Sequence, residues 1–239
     1  MAYLSAGYYV TRLTERAAHM SPELVPDKLL SASRCICDFF PNDWAITWAS
    51  VTDEERLKRA AAFGLSSTDL PAVIGWATES FSRTFGWPDS FYKLEAARDA
   101  RAKLLPADRD TVIVGLGLHE ADAEEFLLAA KPPVQEPGFS PVGNSGIFEC
   151  VSARTNIADG GEFLGFELLA TYFGQLTCSW LCNGLETECA RRLGIVTNGH
   201  GFVQTYADAS RCAELISKDE IGAEPGLWLP WHVSIYPKP

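Results

Sequence analysis

The feature that most constrains the fold is a strong strand pattern over residues 163–172 that leads directly into a helical pattern over 178–193. Large apolar and aromatic residues crowd the first segment, which predicts a strand buried on both faces. In the second segment apolar residues recur at steps of three and four, as on one face of a helix. Thr177 is the predicted N-cap of this helix, and Gly194 is the residue predicted to end it.

Three cysteines on that predicted helix face raise the question of a metal site. Cys178 and Cys182 are one helical turn apart, and Cys189 lies two turns further along. This CxxxC spacing lacks the tight CxxC turn of common zinc sites, and no matching pair of Cys or His residues occurs elsewhere. Free cysteine also packs well as a small hydrophobic residue. We therefore expect all three cysteines to pack in the core, and the sequence predicts no metal and no cofactor.

The other segments alternate irregularly between strand and helix patterns. Predicted strands lie at 7–14, 44–50, 110–118, 146–153 and 227–236, and predicted helices at 52–63, 68–85, 91–105, 120–130 and 205–217. Several neighbouring strands have no helix between them, which favours an α+β fold over a doubly wound parallel sheet. We predict one α+β domain over 1–239, with a mixed or mostly antiparallel sheet packed with several helices and a helical subregion at 52–105. Pro230 predicts that the last strand lies at an edge or carries a bulge.

The composition is that of an acidic chain. Its 239 residues carry a formal net charge of −11. Such a charge repels nucleic acid and anionic membranes, whereas it favours a basic protein partner. No secretory hydrophobic segment follows Met1, and no run reaches the roughly 18 apolar residues of a membrane span, so we expect a cytoplasmic protein. Seven cysteines, an odd number, fit free thiols in a reducing compartment.

Motifs for catalysis are weak. Gly115-Leu116-Gly117 has the start of a dinucleotide fingerprint, but Glu120 stands where the third glycine belongs and would repel a pyrophosphate. We interpret this segment as a tight connection between a strand and a helix. A cysteine and a histidine can pair in space without leaving a sequence signature, and the candidates are Cys150 with His119, or a thiol with His200. The sequence assigns no catalytic residue.

Four carboxylates gather within six residues, at Glu120, Asp122, Glu124 and Glu125. At the start of a predicted helix their negative charges interact favourably with the positive end of the helix dipole. The simplest interpretation is that they only form a solvated face. A pair of them could also run acid–base chemistry, although nothing in the pattern indicates burial. The third interpretation is a contact surface for a basic partner, and we take these four as the candidate partner-binding residues. Trp228, Trp231 and Tyr236 could anchor such a contact, but we expect most of them in the core.

The run GFELLATYFGQLTCSWLCNGLE at about 165–187, together with the segment EPGLWLPW, resembles stretches of small bacterial cytoplasmic proteins of the immunity type. Those proteins neutralise a toxin by binding it, and the resemblance implies an acidic surface that occludes or mimics the target of a basic toxin. It carries over no individual site residue. The first hypothesis is therefore a non-enzymatic protein-binding module of the immunity type. The alternative is a small cytoplasmic enzyme that uses a Cys/His or carboxylate pair in a pocket near residues 115–120, and a third is a structural component of an assembly.

Overall fold

The computed structural model describes residues 2–33, 35–41, 51–86, 90–105, 110–130, 146–172, 175–218 and 221–237. Its strands are β1 (Tyr3–Arg12), β2 (Thr14–Glu15), β3 (Lys28–Leu29), β4 (Phe39–Phe40), β5 (Phe85–Gly86), β6 (Ser90–Phe91), β7 (Thr111–His119), β8 (Glu162–Tyr172), β9 (Gln175–Ser179) and β10 (Leu227–Tyr236). Its helices are α1 (Asp53–Ala61), α2 (Leu70–Ser80), α3 (Leu94–Leu104), α4 (Ala123–Ala129), α5 (Gly146–Ser152), α6 (Leu185–Leu193) and α7 (Tyr206–Ser217). The strand predicted at 44–50 lies outside the described residues.

The centre of the fold is one sheet with the strand order β5–β6–β1–β7–β10–β8–β9, in which β4 also pairs with β1. Each pair of these strands is antiparallel, as is the separate pair of β2 with β3. The predicted α+β class is thereby confirmed. The sheet was predicted to be mixed or mostly antiparallel, and its described strand pairs are antiparallel.

Two glycines on one face of β7 make room for aromatic rings from both neighbouring strands. A Cβ atom on Gly115 would lie 2.7 Å from the ring of Tyr236 and 3.1 Å from that of Tyr8. A Cβ atom on Gly117 would lie 3.1 Å from the Cβ of Tyr3. The Gly-x-Gly segment therefore serves ring packing inside a strand, and the expected tight connection to a helix begins only after the end of β7.

Three hydrophobic clusters join the helices to the sheet. The first includes α4 and α5, the second α1, α2 and α3, and the third α6 and α7. The second cluster confirms the helical subregion at 52–105, although β5 and β6 interrupt it to pair with each other and with β1. Trp228, Trp231 and Tyr236 of β10 are all buried, as expected.

Helix ends follow the local sequence signals. Thr52 and Thr205 cap α1 and α7, and each hydroxyl accepts a hydrogen bond from the backbone N–H three residues further on. Gly194 ends α6 with a left-handed backbone at φ 68°, as predicted.

The helix predicted over 178–193 is wrong in its first half. Gln175–Ser179 is strand β9, Trp180–Asn183 is a single 3-10 turn, and α6 begins only at Leu185. Gly184 lies between the 3-10 turn and α6 with a left-handed backbone at φ 66°. This conformation ends the 3-10 turn and allows the helix to begin in a new direction. Thr177 is consequently a strand residue rather than an N-cap.

The strand predicted at 146–153 is also wrong, because residues 146–152 form α5. Ile147, Cys150 and Val151 are buried at helical spacing, and α5 packs against β1. The apparent alternation arose because Phe148 and Glu149 are only half-buried between these core positions.

Pro230 does not mark an edge strand, since β10 lies between β7 and β8. At the proline itself, however, β10 pairs only with β8, because pairing with β7 starts at Trp231. The register of β10 with β8 does shift between Val233 and Ser234, but the additional residue there is Leu164 of β8, so the bulge is not in the strand that carries Pro230.

Candidate functional sites

The acidic turn, which we define by Glu120, Asp122, Glu124 and Glu125, joins β7 to α4. Glu120, Glu124 and Glu125 are exposed, whereas Asp122 is half-buried. A carboxylate oxygen of Glu124 lies 3.9 Å from a guanidinium nitrogen of Arg154, and exposed pairs of this kind contribute about 0–1 kcal/mol. The turn therefore presents three hydrated carboxylates to solvent and directs the fourth toward the protein.

Asp122 connects the acidic turn to α7. Both of its carboxylate oxygens lie 2.9 Å from the hydroxyl of Tyr206, which donates the hydrogen bond. The Tyr206 ring in turn stacks on the ring of His119, with 4.2 Å between centroids. Burial raises the pKa of Asp122, although the Tyr206 hydrogen bond and the nearby imidazole of His119 act in the opposite direction. Burial and the Asp122 carboxyl raise the pKa of Tyr206 to about 12, so its hydroxyl keeps its proton and remains the donor.

Those two rings belong to a larger group that we call the aromatic face. Its members come from β1, β7, β8, α7 and β10, and they are Tyr3, His119, Phe163, Phe166, Tyr206 and His232. Phe166 lies at the bottom and is buried, and its ring is within 6.0 Å of those of Tyr3, Phe163, Tyr206 and His232. Phe163 is 40% exposed and the remaining four are half-buried. The face is thus a packed set of rings that opens to solvent.

The strand register explains how these rings meet. Tyr3 pairs with His119 across β1 and β7, and His232 of β10 pairs with Gly117 on one side and Phe166 on the other. Because Gly117 has no side chain, the rings of Tyr3 and His232 can approach across β7, to 4.7 Å between centroids. The ring of His232 also stacks on that of Phe163 at 4.6 Å.

The imidazole of His232 is neutral in this environment. Burial lowers its pKa to about 4, because the charged form would lose its hydration among the surrounding rings. His232 therefore packs as an aromatic ring at neutral pH. Sequence reasoning missed the aromatic face because its members come from five separate elements. The one available signal was Gly117, a residue without a side chain in the middle of a strongly apolar strand.

The candidate Cys–His pairs do not form among the described residues. Cys150 lies on α5 beside Ser90, in a cavity of about 470 Å³ whose lining includes Tyr92 and Glu149, and burial raises the pKa of its thiol to about 12. His119, by contrast, belongs to the aromatic face. His200 is exposed, and its backbone N–H donates to the side-chain oxygen of Asn198 within a turn.

A second site gathers three thiols, those of Cys35, Cys178 and Cys182. Their Sγ atoms all lie within 4.8 Å of one another. Cys178 is buried in β9, Cys182 is half-buried in the 3-10 turn that follows, and Cys35 is exposed in the loop before β4. Cys189 lies apart from them, beside Cys212 in the core formed by α6 and α7. The expected core packing therefore describes Cys178 and Cys189, which are both buried in that core, and Cys182 packs against it. In addition, Cys178 and Cys182 converge on Cys35, which is remote in sequence.

Two polar groups contact the sulfur of Cys182. The backbone N–H of Ser179 lies 3.4 Å from it, and the hydroxyl of Ser33 lies 3.7 Å from it. A hydrogen bond from the Cys178 thiol, reinforced by these two groups, lowers the pKa of Cys182 and raises that of Cys178. The three-thiol cluster is therefore arranged to stabilise negative charge on one sulfur.

A buried glutamate lies behind this cluster. The carboxyl of Glu167 on β8 accepts hydrogen bonds from the hydroxyl of Ser31 and, at 2.8 Å, from the backbone N–H of Ala32. Burial raises its pKa to about 7, although these hydrogen bonds oppose the shift. Glu167 thereby fixes residues 31–32, and with them the loop that carries Cys35.

Comparison of the chain with protein-family models, with curated proteins and with solved structures finds no match. Within the described part of the chain, no helix is both long enough and apolar enough to cross a membrane. The two sites must therefore be interpreted from their own chemistry.

Proposed function

We propose that this protein is a non-enzymatic binding module that holds a basic protein partner against the aromatic face and the acidic turn. The observation that carries the proposal is the hydrogen bond and ring stack of Asp122, Tyr206 and His119, which joins the two surfaces into one. Protein interfaces have the same anatomy, with aromatic residues at the centre and a polar, hydrated rim.

Ring packing supports binding because it prepares the surface in advance. Tyr3, Tyr206 and His232 are held by neighbouring rings at centroid distances of 4.2–4.7 Å. Side chains that are already fixed lose little conformational entropy when a partner docks. Phe163, with 40% of its surface exposed at the edge of the face, is the ring with the most area left to bury.

Charge supports a basic partner. The chain has a formal net charge of −11, and three exposed carboxylates belong to the acidic turn that Asp122 connects to the Tyr206 ring. Carboxylates of this kind accelerate association with a positive surface, and Lys or Arg side chains also bind well over exposed aromatic rings. The resemblance of the run at about 165–187 to immunity-type proteins gives the proposal its specific form, in which the partner is a basic toxin that is neutralised by being bound.

The enzyme alternative has no comparable support. His119 is engaged with Tyr206 and Ala121, and residues 115–118 lie buried within β7. We therefore retain a single proposed function.

Co-expression with the products of neighbouring genes, followed by affinity purification, is the first test. The proposal predicts a stable complex with one basic protein. Binding kinetics would then be compared for two charge-reversal variants, Glu124→Lys/Glu125→Lys in the acidic turn and Glu54→Lys/Glu79→Lys on the exposed surfaces of α1 and α2, which change the net charge equally. The acidic-turn variant should associate several-fold more slowly and depend less on salt, whereas the control should retain most of the association rate.

Phe163→Ala tests the aromatic half of the surface. Truncation of an aromatic residue that a partner buries costs about 2 kcal/mol or more at an interface hot spot, which corresponds to a Kd about 30-fold weaker. If no partner co-purifies, the proposed function fails. If a partner binds but neither the acidic-turn variant nor Phe163→Ala differs from the control, the interface lies elsewhere on the protein.

A further inference from the structure

We propose that Cys35, Cys178 and Cys182 form a binding site for a thiophilic d¹⁰ metal ion, Zn(II) or Cu(I). Thiolate sulfur is the ligand that these ions prefer over the harder oxygen donors of the protein. The inference rests on the geometry of the three-thiol cluster and is independent of the proposed function.

Distances between the sulfur atoms fit such an ion closely. A tetrahedral zinc site has Zn–S bonds of about 2.3 Å, which places its sulfur atoms about 3.8 Å apart. The three Sγ atoms of the cluster already lie within 4.8 Å of one another. Contraction by about 1 Å or less would therefore complete the coordination triangle, a change that side-chain rotation alone can supply.

Neighbouring residues hold two of the ligands in position. Cys182 belongs to the 3-10 turn that Ser179 caps by accepting from the Leu181 N–H, and the Ser179 N–H lies 3.4 Å from the Cys182 sulfur. The side-chain amide of Asn183 lies 3.8 Å from the sulfur of Cys178. Hydrogen bonds to ligand atoms of this kind orient metal ligands in known sites and strengthen binding.

Cys35, the third ligand, makes the site accessible to an ion from solvent. Cys35 is exposed, and its thiol donates a hydrogen bond to the backbone carbonyl of Thr177 at 3.1 Å. Ion binding would replace that contact by a metal–sulfur bond. Each thiol that binds releases its proton to solvent, so the reaction exchanges S–H bonds for metal–sulfur bonds and transfers no electrons.

A fourth coordination position would face solvent on the Cys35 side. Water would occupy the fourth position. Sites with three protein ligands and one open position exchange ligands more readily than closed structural sites.

Metal titration of the full-length, reduced protein tests the inference. Zn(II) would be added in competition with a chromophoric chelator, and Cu(I) in a separate anaerobic titration. We expect one equivalent of at least one ion to bind, with a rise in Tm because the ion joins the loop of Cys35 to β9. Cys35→Ser removes an exposed ligand and should weaken binding at least about 100-fold, which exceeds the effect of losing a residue behind a ligand.

Cys150→Ser is the matched control, since Cys150 is a buried thiol outside the cluster. It should bind the ion as the unmodified protein does, and circular dichroism would verify the fold of both variants. Two results would overturn the inference. They are the absence of stoichiometric binding for both ions, and binding that survives Cys35→Ser.

Discussion

Replacement of His232 by phenylalanine should change how the stability of the protein depends on pH. The folded protein holds this imidazole with a pKa of about 4, against about 6.5 when exposed. Between these values the unfolded chain binds a proton that the folded chain does not, so the fold loses stability as the pH falls from 6.5 toward 4. A phenyl ring at this position cannot take up that proton, but it can keep the contacts with the rings of Tyr3 and Phe163.

The size of the effect follows from the shift. One pKa unit corresponds to about 1.4 kcal/mol, so a shift of this size corresponds to about 3 kcal/mol if the full pH range is crossed. Between about pH 7.5 and pH 4.5 most of that range is covered, and partial exposure of the ring reduces the effect further. As the pH falls from about 7.5 to 4.5, we therefore expect the unmodified protein to lose about 2 kcal/mol more free energy of unfolding than His232→Phe loses.

A second buried group makes the comparison between variants essential. Glu167 has a pKa raised to about 7 in the folded protein, against about 4.5 in the unfolded chain. Its stabilising contribution to the fold is therefore fully present below pH 4.5 and is lost as the pH rises through 7. It thus opposes His232 over almost the same interval, and the unmodified protein should be less pH-dependent than either group alone would make it. Glu167→Gln should change the pH dependence of stability in the opposite direction to His232→Phe, so that stability falls more steeply on acidification than in the unmodified protein.

Urea denaturation followed by tryptophan fluorescence, at closely spaced pH values, measures these free energies of unfolding. The informative quantity is the difference between each variant and the unmodified protein as a function of pH. A difference for His232→Phe that stays constant from about pH 7.5 to 4.5 would mean that His232 is not held neutral, and the packing described for the aromatic face would have to be abandoned.

Three further predictions concern stability and can be checked by the same denaturation experiment. Thr205→Ala should destabilise by about 1 kcal/mol, because the hydroxyl caps α7 at the N–H of Asp208; Thr205→Ser should behave almost as the unmodified protein, and equal losses for both would count against the cap. Trp231→Ala should cost about 3–5 kcal/mol, because the ring is fully buried and edge-on to Phe126. Trp231→Phe should cost far less, since the indole N–H has no hydrogen-bond partner among the described residues, and a loss as large as that of alanine would reveal one. Gly194→Ala should cost about 1 kcal/mol from its φ of 68° alone, as no atom lies within 4 Å of the added methyl group; an unchanged midpoint would argue against the left-handed end of α6.

Local patterns in the sequence were sufficient wherever one type of secondary structure dominated a segment. The β-branched and apolar run of β7 and the three-and-four spacing of α7 both gave the correct element, and Thr205 gave the correct helix start. These signals work because the residues that determine the element are neighbours in the chain.

The same reasoning failed where a pattern was ambiguous. Apolar residues at 178–189 fit a helix, but they fit equally a strand followed by a turn and a shorter helix, and Asn183-Gly184 was the signal for the break. At 146–152 the short segment fits both periods, and its packing against β1 decided in favour of a helix.

Neither site could have been assembled from the sequence. The acidic turn was visible as a cluster of carboxylates, but Tyr206, which binds its Asp122, lies more than 80 residues further along the chain. Cys35 is likewise separated from Cys178 by more than 140 residues. Such contacts depend on strand order, and nothing in the periodicity of a single strand specifies its neighbours.

The position of β10 has a consequence for folding during synthesis. β10 follows every other strand of the sheet in the chain, yet it pairs on one side with β7 and on the other with β8. Until it leaves the ribosome, the nascent chain can assemble β1 with β7 and β8 with β9 only as separate pieces, each with an unpaired apolar edge. Exposed edges of this kind attract other strands, so the interval before β10 emerges is when the chain most needs protection by a chaperone.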